Sequence, residues 1–469
     1  MRRVRPSVAG LSWLAAVVFH CVVGWFWLTA TPLQDIDLPD NVPPALPYST
    51  LKVGLGPDEK EHYLMVRSLA EGKGLPAPDP QRRRDDSQWV SYQAQHPPFA
   101  YFVSSIVLRI AGGMAVDVQW ILLRLECLIA GALAVAIGGR AIQRAFPENQ
   151  LVAIAGPWTL AALPMLGHMN GCFSNEPQAA ALAAMAWWTV VVSARGSGVT
   201  LGRAIAIGSL LGLAGLSRMT AMVWLPGAIW MVWRYGTPRW QSLLALVASV
   251  SVAIVPWMVW NQIQYGQPMI RTFDRPLFTP EAGLGQLLGG GISPAGSGVL
   301  LTLPMLILWF AGCPWTPVWL IQFYLPGGPT LLAGTLLLLE ILLVVLLANH
   351  ASRCRRGKEV DSDAVGRDML RAAGLVAGVC LLGQIQQMLV SDWNVVFSNG
   401  RYAVAAAGAS GLLLVFGLGT LVRTKAGRAM VAVTLAAGLV VFDIWSVGLV
   451  RRFYRDNPTQ ESSQPIPRP

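Results

Sequence analysis

Charge is what this chain has least of. Only 13% of its 469 residues are Asp, Glu, Lys or Arg, against 54% hydrophobic residues. A water-soluble core cannot hide so much apolar surface, which excludes the soluble classes and leaves an integral membrane protein. No CxxC pair occurs, and Cys21, Cys127, Cys172 and Cys380 lie in or beside apolar runs. The cysteines therefore frame neither a disulfide scaffold nor a zinc site. No basic patch is interleaved with base-stacking aromatics, so the net charge of +10 reads as loop topology and not as a nucleic-acid footprint. Internal repeats and a separate soluble domain are also missing.

What the chain has in quantity is apolar runs of roughly 17–22 residues, each long enough to cross the hydrocarbon. They predict an all-α polytopic membrane protein, a single domain over residues 1–469, with about eleven transmembrane helices. The spans are read at 11–30, 118–138, 150–166, 177–194, 203–218, 221–233, 241–260, 329–349, 371–390, 402–422 and 429–450. Arg2, Arg3 and Arg5 ahead of the first run put the N-terminus in the cytoplasm, and that run is too long for a cleaved leader. The helix that His96-Pro97-Pro98 opens is read as juxtamembrane, in the outer leaflet, because a full span there would put Arg140 and Arg144 outside. Segments 31–117 and 261–328 then become outer loops, the first expected to be catalytic and the second to bind substrate. Loop 350–371 is cytoplasmic, the C-terminus is outside, and the membrane is the cytoplasmic (inner) one.

Within the first outer loop stands Gly56-Pro57-Asp58-Glu59-Lys60-Glu61-His62-Tyr63. Pro57 suits a first helical turn, and acids there meet the positive end of the helix dipole. A helix is predicted from Asp58 to Ala70 or Glu71, stopped by Gly72 and Gly74. Asp58 and His62 share one face of it, as do Glu59, His62 and Tyr63. On the predicted topology the unusual polar groups gather on the same outer side: Asp58, Glu59, His62, His96, Arg124, Asn175, Glu176, Arg218, Asn261, Arg401 and Tyr402. Arg124 lies within a span, where a charge is a functional hypothesis by default. It stands two residues from Glu126, so the two face different ways. Glu340 and Asp443, also in spans, read as groups paired or packed inside the bundle.

The ordered set of short motifs resembles the C-type glycosyltransferases that use polyprenyl-phosphate sugars, such as protein mannosyltransferases and aminoarabinose transferases. Pro57-Asp58-Glu59 with Glu71-Gly72 looks like their first-loop motif, and His96-Pro97-Pro98 like their second. Arg124 sits where they carry an arginine in the next span. Ser174-Asn175-Glu176 is similar to their Asn-Asn-Asp or Asn-Pro-Asp, with Glu in place of Asp. Leu216-Ser217-Arg218-Met219-Thr220, Pro256-Trp257 with Asn261 and Tyr265-Gly266, and Gly400-Arg401-Tyr402 continue the series to about residue 422.

The resemblance implies an enzyme whose donor is a polyprenyl-phosphate sugar and whose acceptor is a hydroxyl on a glycan, lipid or protein. Such a donor is already activated, so one carboxylate suffices as general base, unlike the pair in glycoside hydrolysis. Asp58 is assigned that part, with Glu59 as runner-up or as the group that orients the acceptor or His62. Arg401, Arg124 and His96 are candidates for the phosphate, since guanidinium grips it in a bidentate way and a helix start attracts anions. His62, Asn175, Glu176 and Tyr402 complete the expected substrate contacts. No cofactor is required, although adjacent acids could hold a divalent ion through oxygen. The rival reading is a secondary transporter or flippase, which predicts inverted repeats and broken helices at the bilayer midplane.

Overall fold

The structure, a computed structural model, describes residues 8–37, 50–54, 56, 59–75, 96–265, 268, 363–390, 407–422 and 424–456. Among these the chain is helical apart from one ribbon. Helix α1 (Val8–Leu28) is followed by β1 (Leu33–Asp37) and β2 (Thr50–Gly54), which pair antiparallel with Leu33 opposite Gly54. The ribbon is an addition to the all-α expectation. Then come α2 (Glu59–Ala70), α3 (Phe99–Ile110) and α4 (Val116–Ala145). At 1.5 Å per residue, the 30 residues of α4 are ~45 Å long, more than the ~30 Å of hydrocarbon.

A bent segment follows, made of α5 (Gln150–Ala155), α6 (Trp158–Ala161) and α7 (Pro164–Gly171), with a 42° break before α7. The remaining described helices are α8 (Glu176–Arg195), α9 (Leu201–Ser217), α10 (Leu225–Tyr235), α11 (Arg239–Tyr265), α12 (Ala364–Val390), α13 (Ala407–Leu421) and α14 (Lys425–Asp456). Five of these, α1, α4, α8, α11 and α14, are long and apolar enough to cross a membrane, and the bent segment makes a sixth if counted as one span. The protein is thus a helical membrane protein of several spans.

The expected count of eleven is not reached among the described residues. The predicted span 203–218 is α9, of 17 residues. The predicted span 221–233 is divided into a 3-10 turn, Met219–Trp224, and the 11-residue α10. Pro226, in the first turn of α10, lacks the N–H that would carry a helix through that point. The predicted span 329–349, nearly all of the loop 261–328 and most of the loop 350–371 lie outside the described residues.

The three largest of four clusters of buried side chains hold the bundle. The largest joins the last turns of α4 to α8, α9, α10, α11, α12 and α13. A second joins α1 to α7 and α14. The third packs α2 and α3 onto the first half of α4, through Tyr63, Val66, Tyr101, Trp120, Leu123 and Phe173. Exposed apolar side chains, such as Phe102, Ile106 and Ile110 at four-residue spacing on α3, face away from these clusters. That is where lipid would lie for a helix in the outer leaflet. Between α4, α8, α12 and α13 a cavity of about 130 Å³ remains, with Ala134, Ala141, Ala179 and Ala183 among its walls. Left empty, a volume of that order costs about 3 kcal/mol.

Candidate active site

Helix α2 presents Glu59, His62 and Tyr63 on one face, and all three are buried against α4 and its neighbours. The helix stops where the sequence predicts, with Gly72 and Gly74 at φ +75° and +78°, a backbone conformation that glycine adopts at no steric cost. Its last carbonyls do not go unpaired. Arg109, from α3, donates to the oxygens of Ala70 (3.1 Å) and Leu69 (2.8 Å), as a cation near a helix C-terminus does.

Glu59 sits at the first turn of α2 and is 0% exposed. Its Oε1 accepts from the Arg124 Nε–H (2.8 Å) and from the Phe173 N–H (2.6 Å). Its Oε2 accepts from the Arg124 Nη2–H (2.6 Å) and from the Gly56 N–H (2.8 Å). Arg124 in turn donates through Nη1 to the carbonyls of Leu28 (3.1 Å) and Thr31 (2.7 Å), at the end of α1. A buried charge pair is tolerable only when its geometry is good and its remaining lone pairs and protons are used. Here they are. Glycine makes the fit possible: a Cβ on Gly54 would collide with Glu59 Oε2, and one on Gly56 would come within 2.7 Å of it. The clamp therefore fixes five pieces of chain to one another: the end of α1, Gly56, α2, α4 and the corner between α7 and α8.

Two of the expected site residues are thus bound to each other. Glu59 has both oxygens filled by N–H donors, so it is poorly placed to take a proton from an acceptor, and it does not fit a cation ligand either. Arg124 has its guanidinium committed to Glu59 and to two carbonyls, so it is not available to grip a phosphate without breaking the clamp. Among the described residues, no group of three or more His, Cys, Asp or Glu is arranged to hold a metal ion.

Beside the clamp, His62 Nδ1 lies 2.7 Å from the Tyr101 hydroxyl, and the His62 ring lies 6.1 Å from that of His96. Tyr101 was not singled out by the sequence; its signal was the aromatic pair just behind His96-Pro97-Pro98. Tyr63 stacks on Trp120 at 4.6 Å, and Phe173 meets both Trp120 and His62 edge-on. Glu126 accepts from the Ser104 hydroxyl (2.6 Å) and the Gln178 amide (2.9 Å), which ties α3 and α8 to α4. As their spacing requires, Arg124 and Glu126 take separate partners.

The expected substrate contacts Asn175 and Glu176 belong to a second buried network. Arg218 lies 3.1 Å from Glu176 Oε1 and donates through Nη1 to Asn175 Oδ1 (3.1 Å), and the Asn175 amide donates to the Ser217 carbonyl (2.9 Å). Asp443, buried in α14, accepts from the Trp27 indole N–H (2.9 Å), which is the bundle-internal pairing expected of it. Asp58, Arg401 and Tyr402 lie outside the described residues.

Fold and site together describe a helical membrane protein whose first loop is locked to the bundle by a buried ion pair. No family model matches the sequence, and no curated protein matches it. Among solved structures the chain is similar to the archaeal oligosaccharyltransferase AglB from Archaeoglobus fulgidus, in complex with an inhibitory peptide and a dolichol-phosphate. The identity is 12% and the TM-score 0.49, covering 97% of this chain and 61% of that one. A complex of the Archaeoglobus fulgidus oligosaccharyltransferase with Zn and sulfate gives 13% identity and a TM-score of 0.46, over 97% and 59%. ArnT from Cupriavidus metallidurans, bound to undecaprenyl phosphate, gives 17% and 0.37, over 91% and 77%. The chain thus spans about three fifths of the length of the oligosaccharyltransferase it matches (61%).

Proposed function

We propose that this protein is an inverting glycosyltransferase that moves a sugar from a polyprenyl-phosphate carrier to an acceptor hydroxyl. The reaction is assigned to the outer face of the cytoplasmic membrane. The observation that carries the reading is the Glu59–Arg124 clamp. It is a costly buried ion pair, and what it immobilises is the polar helix start next to Asp58. Rigid support of this kind is what a reacting group needs, because small displacements of a catalytic group lose large factors in rate.

Asp58 is assigned as the general base. It takes the proton of the acceptor hydroxyl as that oxygen forms its bond to the anomeric carbon from the face opposite the phosphate. The bond from the anomeric carbon to the phosphate oxygen breaks, and polyprenyl phosphate leaves with the electron pair. Arg401 and His96 are assigned to the charge that grows on that phosphate. Tyr402 is assigned to substrate binding and His62, held by Tyr101, to the acceptor side. Glu59 and Arg124 are assigned as positioning residues. Asn175 and Glu176, paired with Arg218, are assigned to shaping the donor side from behind.

The test is turnover by the purified full chain in lipid with a panel of undecaprenyl-phosphate sugars, scoring sugar transfer and release of undecaprenyl phosphate. Transfer by the wild type that falls at least a thousandfold in Asp58→Asn, with donor binding retained, is the expected result. Undiminished turnover in Asp58→Asn would remove the base assignment. Donor that crosses vesicle membranes without being cleaved would replace the enzyme by a transporter.

A further inference from the structure

The exposed stripe of α14 takes no part in the glycosyl transfer. Met430, Val433, Val441, Ile444 and Trp445 are between 41% and 67% exposed. At about 100° per residue they fall within an arc of roughly 120°. Arg451, Arg452 and Arg455, all exposed, lie in the same arc and continue it to the end of the helix. The opposite side of α14 faces the bundle, with Asp443 on the Trp27 indole and Val447 and Val450 in the second core cluster. The stripe is therefore a lipid-facing surface that ends in guanidinium groups.

The rise from Met430 to Arg452 is ~33 Å at ~1.5 Å per residue, against ~30 Å of hydrocarbon, so Arg452 emerges at the level of the lipid headgroups. Arg451 donates to the Thr29 hydroxyl (2.8 Å) and lies over the Phe26 ring at 5.2 Å, which places these arginines at the clamp end of the bundle. On the predicted topology that is the outer side, where the bias of Lys and Arg toward the cytoplasm gives them no part. The partners of Arg451 are neutral, and Arg455 meets the exposed Asp456 at 3.2 Å. Three guanidinium groups thus face one carboxylate among the described residues of the last turns of α14 and the end of α1. Gly448, one turn before Arg452, has no neighbouring atom within 4 Å of where a Cβ would stand, so a lipid can lie against the backbone just below the charges.

We propose that the last turns of α14 bind an anionic glycerophospholipid, its phosphate between Arg452 and Arg455 and its acyl chains along Gly448, Ile444 and Val441. The positive excess selects a head with net negative charge, because the ammonium of a zwitterionic head would meet the same guanidinium groups. The site does not rest on the glycosyltransferase reading: a lipid bound here is neither donor nor acceptor.

The test is photocrosslinking of the full chain in vesicles of phosphatidylethanolamine and phosphatidylglycerol, with a diazirine near the glycerol end of one phosphatidylglycerol acyl chain. Label is expected in the peptide covering 441–456, and excess unlabelled phosphatidylglycerol should remove it about tenfold better than phosphatidylethanolamine. Arg452→Gln with Arg455→Gln should abolish that preference, while Arg428→Gln at the other end of α14 leaves it unchanged. Unaltered label on the exposed face of α11 around Val252 and Val255 reports that the double variant is folded. A preference that survives in the double variant, or equal removal by the two lipids in the wild type, would overturn the proposal. Removal by undecaprenyl phosphate and not by phosphatidylglycerol, or by inorganic phosphate alone, would overturn it too and give the arginines to the sugar carrier or to a free anion.

Discussion

Two ion pairs join remote segments near opposite ends of α4, and they are built in opposite ways. The Glu59–Arg124 side chains are 0% and 5% exposed, and the pair is doubly hydrogen-bonded. Asp363 and Arg195 are 50% and 14% exposed, so that pair is open to water and salt on its acidic side. The chemistry is the same, a carboxylate and a guanidinium, yet the consequences differ. In water each partner can be lost and re-solvated, so the net worth of such a pair is small. In the interior the loss of one partner strands the other as a bare charge. The first pair is a commitment of the fold and the second is an adjustable latch.

The largest break in that comparison should come from Arg124→Ala, which leaves Glu59 buried and unpaired. We expect a loss of about 3–5 kcal/mol, read as a fall in melting temperature in detergent. Glu59→Leu combined with Arg124→Met should recover most of that stability and little of the turnover, since a packed apolar pair can replace a buried salt bridge but does not reproduce the bonds to Gly56, Phe173, Leu28 and Thr31. Recovery of both would show the clamp to be a stabiliser alone. Arg218→Ala takes away the guanidinium 3.1 Å from Glu176, and about 2–3 kcal/mol is expected. Gly54→Ala pushes a methyl into Glu59 Oε2 and should cost about 1–2 kcal/mol; an unchanged melting temperature would show that the carboxylate can move aside.

The smallest effect belongs to the latch. Asp363→Asn should cost no more than about 1 kcal/mol. Burial pushes the Asp363 carboxyl up, but the Gly366 N–H and Arg195 outweigh it and hold the group below its ordinary 3.8. A carboxyl lowered on folding contributes stability that is complete above the unfolded value and lost as pH falls through the folded one. Hydrogen exchange at the start of α12 should therefore rise on acidification below about pH 4 in the wild type and change less in Asp363→Asn.

Element type was legible from the apolar runs, because in a bilayer the backbone must satisfy itself and helices are the cheap answer. The boundaries of α2 were legible from Gly72 and Gly74. Span count was less so, because the two crossings read over 203–233 are a 17-residue and an 11-residue helix joined by a 3-10 turn, and the predicted span 329–349 lies outside the described residues. The ribbon of β1 and β2 was hidden in a polar, proline-rich stretch where five-residue strands leave little periodicity. At the site, Arg124 was visible as a charge in a span and Glu59 as an acid at a helix start, but their pairing was not. Glu59 and Arg124 are 65 positions apart, and only the fold brings them within reach. The same holds for Glu176 and Arg218, both placed on the same side but not read as a pair.

The bond between Trp27 and Asp443 spans 416 positions, joining the first described helix to the last. A chain made at about 5–20 residues per second completes that interval in roughly 20–80 s. For all of that time α1 is already synthesised, with an indole N–H and part of the second core cluster still waiting for α14. When α14 arrives, its buried carboxylate meets a donor that is already in place. The bundle is therefore closed from its last helix, and a chain truncated before Asp443 would hold its loop clamp but lack the tie that shuts the bundle behind it.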